Sequence, residues 1–465
     1  MLKEIIIRDI KHNILSIRLH ILFILIMIVF AYGSISYIAH YKNEDKASQQ
    51  SYQSYVDAMR RDAERNISNL ATGYRNMFSS PRSNGFLTDA KEKHLPNVFG
   101  MTAYNVFYFD VKSGNVNPFL NVFTELSWGM IISLIISFTV FLLTFDSISG
   151  EKEAKTLAIT FANSVSKGTY LFGKYLSAII TCLIVLLPGM CISLIILLMS
   201  KIISFNAGTI AEILGFIFAV IIFIACIAAF GIFCSVITKS SNISLLIALS
   251  MWLVFVVLIP NTAIYWADAF FPIERIDVID QRVSQARDAL NRDAPPGSWS
   301  SSSNSPFRPE HELRAAIQMK LLLSKKQIKD AYFNDMIQQY KKVELLTCIS
   351  PVCIFEYMSE GVVGGGYIKF RKYWEDLHVY QSQLLSFFKD VDAKDPDSPH
   401  WYNPWEDYST SKKPVNFNKV PLFIEKSPSF EDRINAIIKF FIFFVIYTSA
   451  IFYISYTRFK KYDVR

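Results

Sequence analysis

The sequence predicts an all-α polytopic membrane protein with six transmembrane helices, an amphipathic interfacial helix at the N-terminus and two large, mainly helical ectodomains. Three observations carry that prediction. Six apolar runs are long enough to cross a hydrocarbon core, which takes about 20 residues of helix. Two polar excursions of 85 and 165 residues break up their spacing. The composition, 52% hydrophobic and 15% aromatic with only 19% charged, at a mean hydropathy of +0.27, fits an integral membrane protein with substantial parts outside the bilayer.

Taken in order, residues 1–18 place Leu2, Ile5, Ile6, Ile10 and Ile14 on one helical face and Lys3, Glu4, Arg8, Lys11 and His12 mostly on another, the pattern of a helix lying on a membrane surface. The first span is 19–40; its length and the poor cleavage site at Tyr37-Ile38-Ala39-His40 argue for a retained helix rather than a signal peptide. The first ectodomain, 41–125, opens with a breaker-poor segment to about Phe78 that predicts a long helix projecting roughly 50 Å. Pro, Gly and Asn then punctuate Ser79 to Pro118 around a short strand at Asn105–Val111.

The second span, 126–145, carries no charge in 20 residues, and the third, 175–200, none in 26, with a kink expected at Pro188-Gly189. The fourth is 211–237, where Ala225, Ala228, Ala229 and Gly231 invite close helix packing, most simply within one subunit. The fifth is 243–267, with Pro260-Asn261 expected to break its outer end. The second ectodomain, 268–432, holds helical stretches near 274–292, 310–346 and 366–390, and a loop around Ala294-Pro295-Pro296-Gly297 and SWSSSSNSP that reads as mobile. Within it, 349–366 reads equally as a re-entrant segment or as core of the soluble domain. The sixth span is 434–457 and the tail 458–465.

Six spans put both termini on one side. Lys and Arg number four in residues 1–18, four in 146–174, one in 238–242 and four in 457–465, against the single Lys201 in the short loop opposite. The positive-inside rule therefore makes the termini and residues 146–174 cytoplasmic, in a multi-pass protein of the cell's inner (plasma) membrane whose ectodomains face outward.

Enzyme chemistry finds no support. The seven histidines are scattered without metal-protease spacing. Asp390, Asp392 and Asp395 hint at calcium, but the sixth-place glycine is missing and Trp401 stands where a bidentate glutamate belongs. Glu356 and Glu360 read as a solvated helix face. Cys182, Cys191, Cys226 and Cys234 lie in apolar runs, and Cys348 and Cys353 read as two buried thiols rather than a bond. The net charge of +7 is spread along the chain, so it points to a membrane surface and not to nucleic acid. Ionisable groups are almost absent from the spans, where His20 and Lys439 lie near ends, which argues against a self-contained ion-coupled carrier. Gly168, Gly173 and Lys174 fit most of a phosphate-loop pattern, yet Tyr175 fills the hydroxyl position and no strand precedes it. Lys174 reads instead as a head-group anchor at the start of the third span. A transporter of this composition must draw energy from another subunit.

Residues 146–174 are the polar island between spans two and three. Glu151-x-Glu153-x-Lys155-Thr156-Leu157, then Val165-Ser166-Lys167, then Leu171-x-Gly173-Lys174, resembles the E-R-E-x-G-T-L…P-V-S-R…L-x-G-K run of permease subunits in type-2 ATP-binding-cassette (ABC) exporters, from a bacterial branch with long ectodomains. The island departs from that run at Lys155, where glycine is usual, and at Asn163-Ser164, where proline is usual. The resemblance implies a non-catalytic chain that forms half of an export pathway. It also implies a coupling helix that docks on a separate ABC ATPase holding ATP and magnesium, and a second permease subunit, identical or related. Glu151, Glu153, Lys155, Thr156, Leu157, Val165, Ser166 and Lys167 are the implied docking region, with Glu151, Glu153 and the turn at Ser166 foremost. The alternative is an ATPase-coupled scaffold that moves its ectodomains without carrying a substrate.

Overall fold

The computed structural model describes residues 2–88, 95, 97–108, 126–162, 165–292, 309–402 and 410–462. Helix α1 (Leu2–Ile14) precedes α2 (Ile17–Arg65), whose first turn is capped by the Ser16 side chain accepting from the Leu19 N–H. After α3 (Ile67–Thr72) come β1 (Arg75–Phe78), β2 (Val98–Met101) and β3 (Val106–Tyr108). These form an antiparallel sheet in that order, with Arg75 opposite Met101 and Phe99 opposite Tyr108. The next span joins α4 (Trp128–Ile131), a π-helical stretch at Ile132–Ile136 and α5 (Ser137–Thr144). Two short helices follow, α6 (Ser149–Glu153) and α7 (Leu157–Ala162), then α8 (Lys167–Met199) and α9 (Ala207–Ile237). A further span runs through α10 (Ser241–Trp252), a π-helical stretch at Leu253–Leu258 and α11 (Ile259–Phe270). The chain ends with α12 (Ile276–Arg292), α13 (Pro309–Thr347), α14 (Pro351–Val363), α15 (Gly366–Asp392) and α16 (Phe430–Lys461).

Among the described residues six helices are long and apolar enough to cross a membrane. Helix α9 sits at their centre, packed against α5, α8, α10, α14 and α16, while α2 lies along α8. Small side chains permit this. A Cβ on Gly231 of α9 would fall 1.8 Å from the Thr144 hydroxyl of α5, so only glycine admits that approach. The close packing foreseen around Ala225 to Gly231 is thus made inside one chain. Ser34, Ser193 and the Trp128 indole add a polar junction between α2, α8 and α4, with Oγ atoms 2.5 Å apart and Nε1 donating to Ser193 at 2.7 Å.

A second core lies beyond the spans. The outer half of α2 (Tyr55, Met59, Ala63), α3, the sheet and α15 enclose Phe99, Phe333, Phe370, Tyr373 and Trp374, whose rings meet at 4.1–6.5 Å between centroids. Helix α2 therefore belongs to both cores.

Several expectations change. The long helix stops at Arg65, short of Phe78. Asn66 leaves helical geometry with φ −169°, its side chain caps α3 by accepting from Asn69, and the chain then turns into β1. From Ala39 to Arg65 the helix rises about 40 Å. The predicted strand begins at Val106, and its continuation to Val111 lies outside the described residues, as does the Pro- and Ser-rich loop. Pro188 lies inside an uninterrupted α8. Pro260 leaves the fifth span helical, because the wide turns at Leu253–Leu258 immediately precede it and Pro260 sits in the first turn of α11.

Residues 351–363 form a helix capped by Ser350 and ended by Gly364 at φ +68°, and α14 packs on α9 and α16 within the membrane-span cluster. That position buries Glu360 to 5% exposure, so the solvated-face reading of Glu360 fails. Cys348 and Cys353 are buried and are not joined as a disulfide.

Candidate functional site at the loop between the second and third spans

The island folds as two short helices set across the loop end of the bundle. In α7, Leu157 is buried and Phe161 rests on Tyr170 and Phe459, with ring centroids 5.3 and 6.0 Å away. The positions between point the other way: Ala158 and Ala162 are exposed, and Ile159 is 69% exposed. The i, i+4 spacing of Leu157 and Phe161 fixes one face and leaves the other open.

Charged residues of the island turn inward. The Glu151 carboxylate lies 2.8 Å from Lys174 of α8 and 3.5 Å from Arg8 of α1, and it accepts a hydrogen bond from the Tyr170 hydroxyl. Lys174 also pairs with Asp9 of α1 at 3.0 Å, and its side chain is only 9% exposed. Two carboxylates from different elements thus share one buried ammonium, which fixes α1 and α6 to the start of α8. Lys174 is not the head-group anchor expected.

Neighbouring residues close helix ends. Lys152 donates to the carbonyls of Ser235, Val236 and Thr238, at 2.9 Å for the last, where α9 runs out of intrahelical partners. Glu153 accepts from the Ser241 N–H at 2.9 Å in the first turn of α10, where both the unpaired donor and the helix dipole favour a carboxylate. Lys167 donates to the carbonyls of Lys460 and Tyr462 at 3.1 and 2.6 Å, at the end of α16. Ser235 of α9 accepts from the N–H groups of Ile148 and Ser149 at 2.9 and 2.8 Å. Asp146 lies 3.6 Å from Arg18 at the start of α2, an exposed pair that contributes little. One loop is therefore tied to α1, α2, α8, α9, α10 and α16.

The remaining candidates occupy the rim. Lys155 and Thr156 are exposed, Val165 is half-buried, and Ser166 caps α8 by accepting from Thr169 at 3.1 Å. Lys155 has φ 55°, in the left-handed region where a side chain is strained. The glycine that the resembling motif carries there suits this backbone.

Phosphate-loop geometry is absent at Gly168–Lys174, which is regular helix within α8. Among the described residues no three His, Cys, Asp or Glu converge as metal ligands. The aspartates near 392 are used otherwise. Asp392 accepts from Ser398 at 2.8 Å and the Ser411 N–H at 2.7 Å and meets His400 at 2.6 Å. The Lys413 ammonium, 2.6 Å away, and the Ser411 hydroxyl hold the Asp395 carboxyl down to about 2.

Sequence reasoning missed Arg8, Asp9, Lys152, Tyr170 and Ser235. A signal existed for one of them: Asp9 lies four residues after Ile5 on the apolar face of α1, and a carboxylate on a buried face requires a cation.

A family model described as ABC-2 family transporter protein matches residues 4–464, nearly the whole chain. No curated protein matches it. The match covers the spans, the island and both long excursions together. That family implies a partner ABC ATPase and a membrane setting, and its permeases are generally non-catalytic. The chain belongs to the ABC-2 transporter family, as the multi-pass permease component of an ABC transporter.

Proposed function

We propose that the chain is half of an export pathway in a bacterial inner membrane, with both termini and the island cytoplasmic and the two ectodomains outside. It pairs with a second permease, identical or related. A separate ATPase holds the ATP and magnesium, and this chain supplies no catalytic group and binds no nucleic acid. The docking surface in this reading is the open face of α7, centred on Ile159 with Lys155, Thr156 and the Ser166 turn beside it. Glu151, Glu153, Lys152 and Lys167 pass its displacement to the spans. One observation carries the reading: the loop holds the ends of six helices while α7 keeps an apolar side chain 69% exposed. A single docking event then reaches every element it is tied to. Helix α14, seated among the spans and capped at both ends, is read as a re-entrant helix beside the pathway.

A second reading draws on α2, a single 49-residue helix shared by both cores. Such a helix would carry motion from the bundle into the ectodomain, as a force-transmitting subunit would. Affinity purification of the tagged full-length chain tests the docking claim shared by both readings. Wild type is expected to retain an ABC ATPase, and Ile159→Asp to lose it without a change in unfolding midpoint. Retention of the ATPase by Ile159→Asp would remove α7 from the interface.

A further inference from the structure

Strand β1 has β2 on one edge and, among the described residues, no strand on the other. The register decides which backbone groups face that open edge. Arg75 stands opposite Met101 and Met77 opposite Phe99, and the ladder continues where the Ser79 N–H donates to the Asn97 carbonyl at 2.9 Å. Hydrogen-bonded pairs alternate along an antiparallel ladder, so Arg75, Met77 and Ser79 bond β2, while Asn76, Phe78 and Ser80 turn their N–H and C=O groups outward. Ser80 agrees with this: its N–H donates to the Glu425 carboxylate at 2.7 Å, and the same carboxylate accepts from the Ser79 hydroxyl at 2.7 Å. Among the described residues the outward N–H groups of Asn76 and Phe78 meet no acceptor.

A cavity of about 540 Å³ runs along this edge. Asn76, Met77 and Phe78 all line it. Side chains alternate faces along a strand, so three consecutive residues share one cavity because it lies at the strand's edge. The opposite walls are α2, through Asp45, Gln49 and Tyr52 at i, i+4 and i+7, and the extended segment Phe423–Glu425. An added strand takes about 4.8 Å beside its neighbour, 10 Å between layers and 3.3 Å per residue, so the cavity has room for roughly three residues. Open edges are ordinarily blunted by Lys or Pro, or covered. Here the Arg75 side chain is buried, while Asn76 is exposed and Phe78 is 40% exposed, with Tyr52 and Ile424 exposed at the rim. Among the described residues of the lining there is no Lys, Arg or His, and Asp45 and Glu425 are its charged members.

We infer that β1 accepts an extended, non-acidic segment of a partner protein as an added strand, paired to Asn76 and Phe78 through about four backbone hydrogen bonds. The partner residue between those two pairs points the same way as Met77, which is 3% exposed, and so enters the cavity toward α2. Asp45 and Glu425 select against a carboxylate there. The residues on either side of it lie on the exposed face, next to Asn76 and Phe78. In the orientation proposed above, this partner is a protein outside the cytoplasm. The inference needs neither an ATPase nor a transported substrate, and its failure would leave the docking role of α7 untouched.

The test uses the full-length chain in detergent and a capped heptapeptide that alternates Thr and Val around a central Lys, at about 1 mM, the range of a short, weak ladder. Amide hydrogen exchange is read over residues 74–80. The peptide is expected to slow exchange at Asn76 and Phe78 about tenfold. The same peptide N-methylated at every amide should have no effect, and a central Glu should weaken binding about tenfold. Asn76→Pro removes one outward donor without touching the β2 ladder, so it should abolish the slowing, whereas Asn76→Ala should keep it. Both variants should retain the wild-type unfolding midpoint; if Asn76→Pro does not, the methylated peptide decides on the wild-type chain. No slowing by the Lys peptide, equal slowing by the methylated one, or slowing that survives in a folded Asn76→Pro would overturn the proposal. Equal slowing by the Glu peptide would overturn the non-acidic character of the partner.

Discussion

The two ends of the helical bundle use charge differently. At one end a single loop gathers five helices through Glu151, Lys152, Glu153 and Lys167 and reaches a sixth, α2, through Asp146. At the other end charges join elements two or three at a time. Glu212, at the start of α9, meets Arg433 of α16 at 2.6 Å and accepts from Asn84 at 2.5 Å. Glu344 of α13 pairs with Lys439 of α16. The contrast teaches that connectivity, more than ion-pair strength, separates the two ends, and in the proposed function it marks the end where a stroke enters. A hub can move many helices at once, whereas a clasp can only hold or release its own few elements.

The largest effect should come from the hub. Lys174→Met leaves Asp9 and Glu151 facing each other with only the exposed Arg8 guanidinium as counter-charge, at 3.3 and 3.5 Å, so a loss of about 3 kcal/mol is expected, read as the unfolding midpoint in detergent. Adding Glu151→Gln should restore part of it. If the double variant is no better than the single one, the shared ammonium is not what holds the hub.

The clasp at the opposite end gives a sharper comparison. Arg433→Ala strands Glu212 and should cost about 2–3 kcal/mol, yet leave ATPase co-purification unchanged. Loss of the ATPase from this variant would erase the distinction between hub and clasp.

The core beyond the spans should respond to acid through His378 of α15. Burial, with Lys326 nearby, lowers its pKa to about 4 from an ordinary 6.5. The unfolded state then binds more protons between those values, so stability falls as pH drops from 6.5 toward 4 and levels off below. The loss is of order 1–3 kcal/mol. His378→Phe should flatten that part of a pH series of unfolding of that core.

The smallest effect belongs to the island's departure from its motif. Lys155→Gly relieves the strain at φ 55°, which offsets the entropy glycine adds to the unfolded chain, for a net gain of about 0.5 kcal/mol. Lys155→Val should destabilise, and the two midpoints together test the backbone reading.

Much of this architecture was legible from residue pattern alone. The six spans, the N-terminal helix, and the helices at 276–292 and 366–392 follow from apolar run length and helical periodicity, signals that need no partner. The island was recognisable because its charges stand between two long uncharged runs. What the pattern could not supply was direction. Glu151 and Glu153 look alike in the sequence, but Glu151 turns inward to Lys174 and Arg8 while Glu153 stays exposed and accepts from the Ser241 N–H, partners 23, 143 and 88 positions away. Glu360 was misread for the same reason, since burial of α14 depends on α9 and α16. The sheet was half missed because β1 and β2 are four residues each and lie 19 residues apart, too short to show alternation.

The most direct measurement places a photoreactive amino acid at position 159 in one full-length variant and at position 151 in another, each expressed with its native partners and irradiated in membranes. The account predicts a crosslink from position 159 to the ABC ATPase, and from position 151 only to α1 and α8 of the same chain. A crosslink to the ATPase from position 151 with none from 159 would contradict it, placing the docking surface on the carboxylate side of the loop.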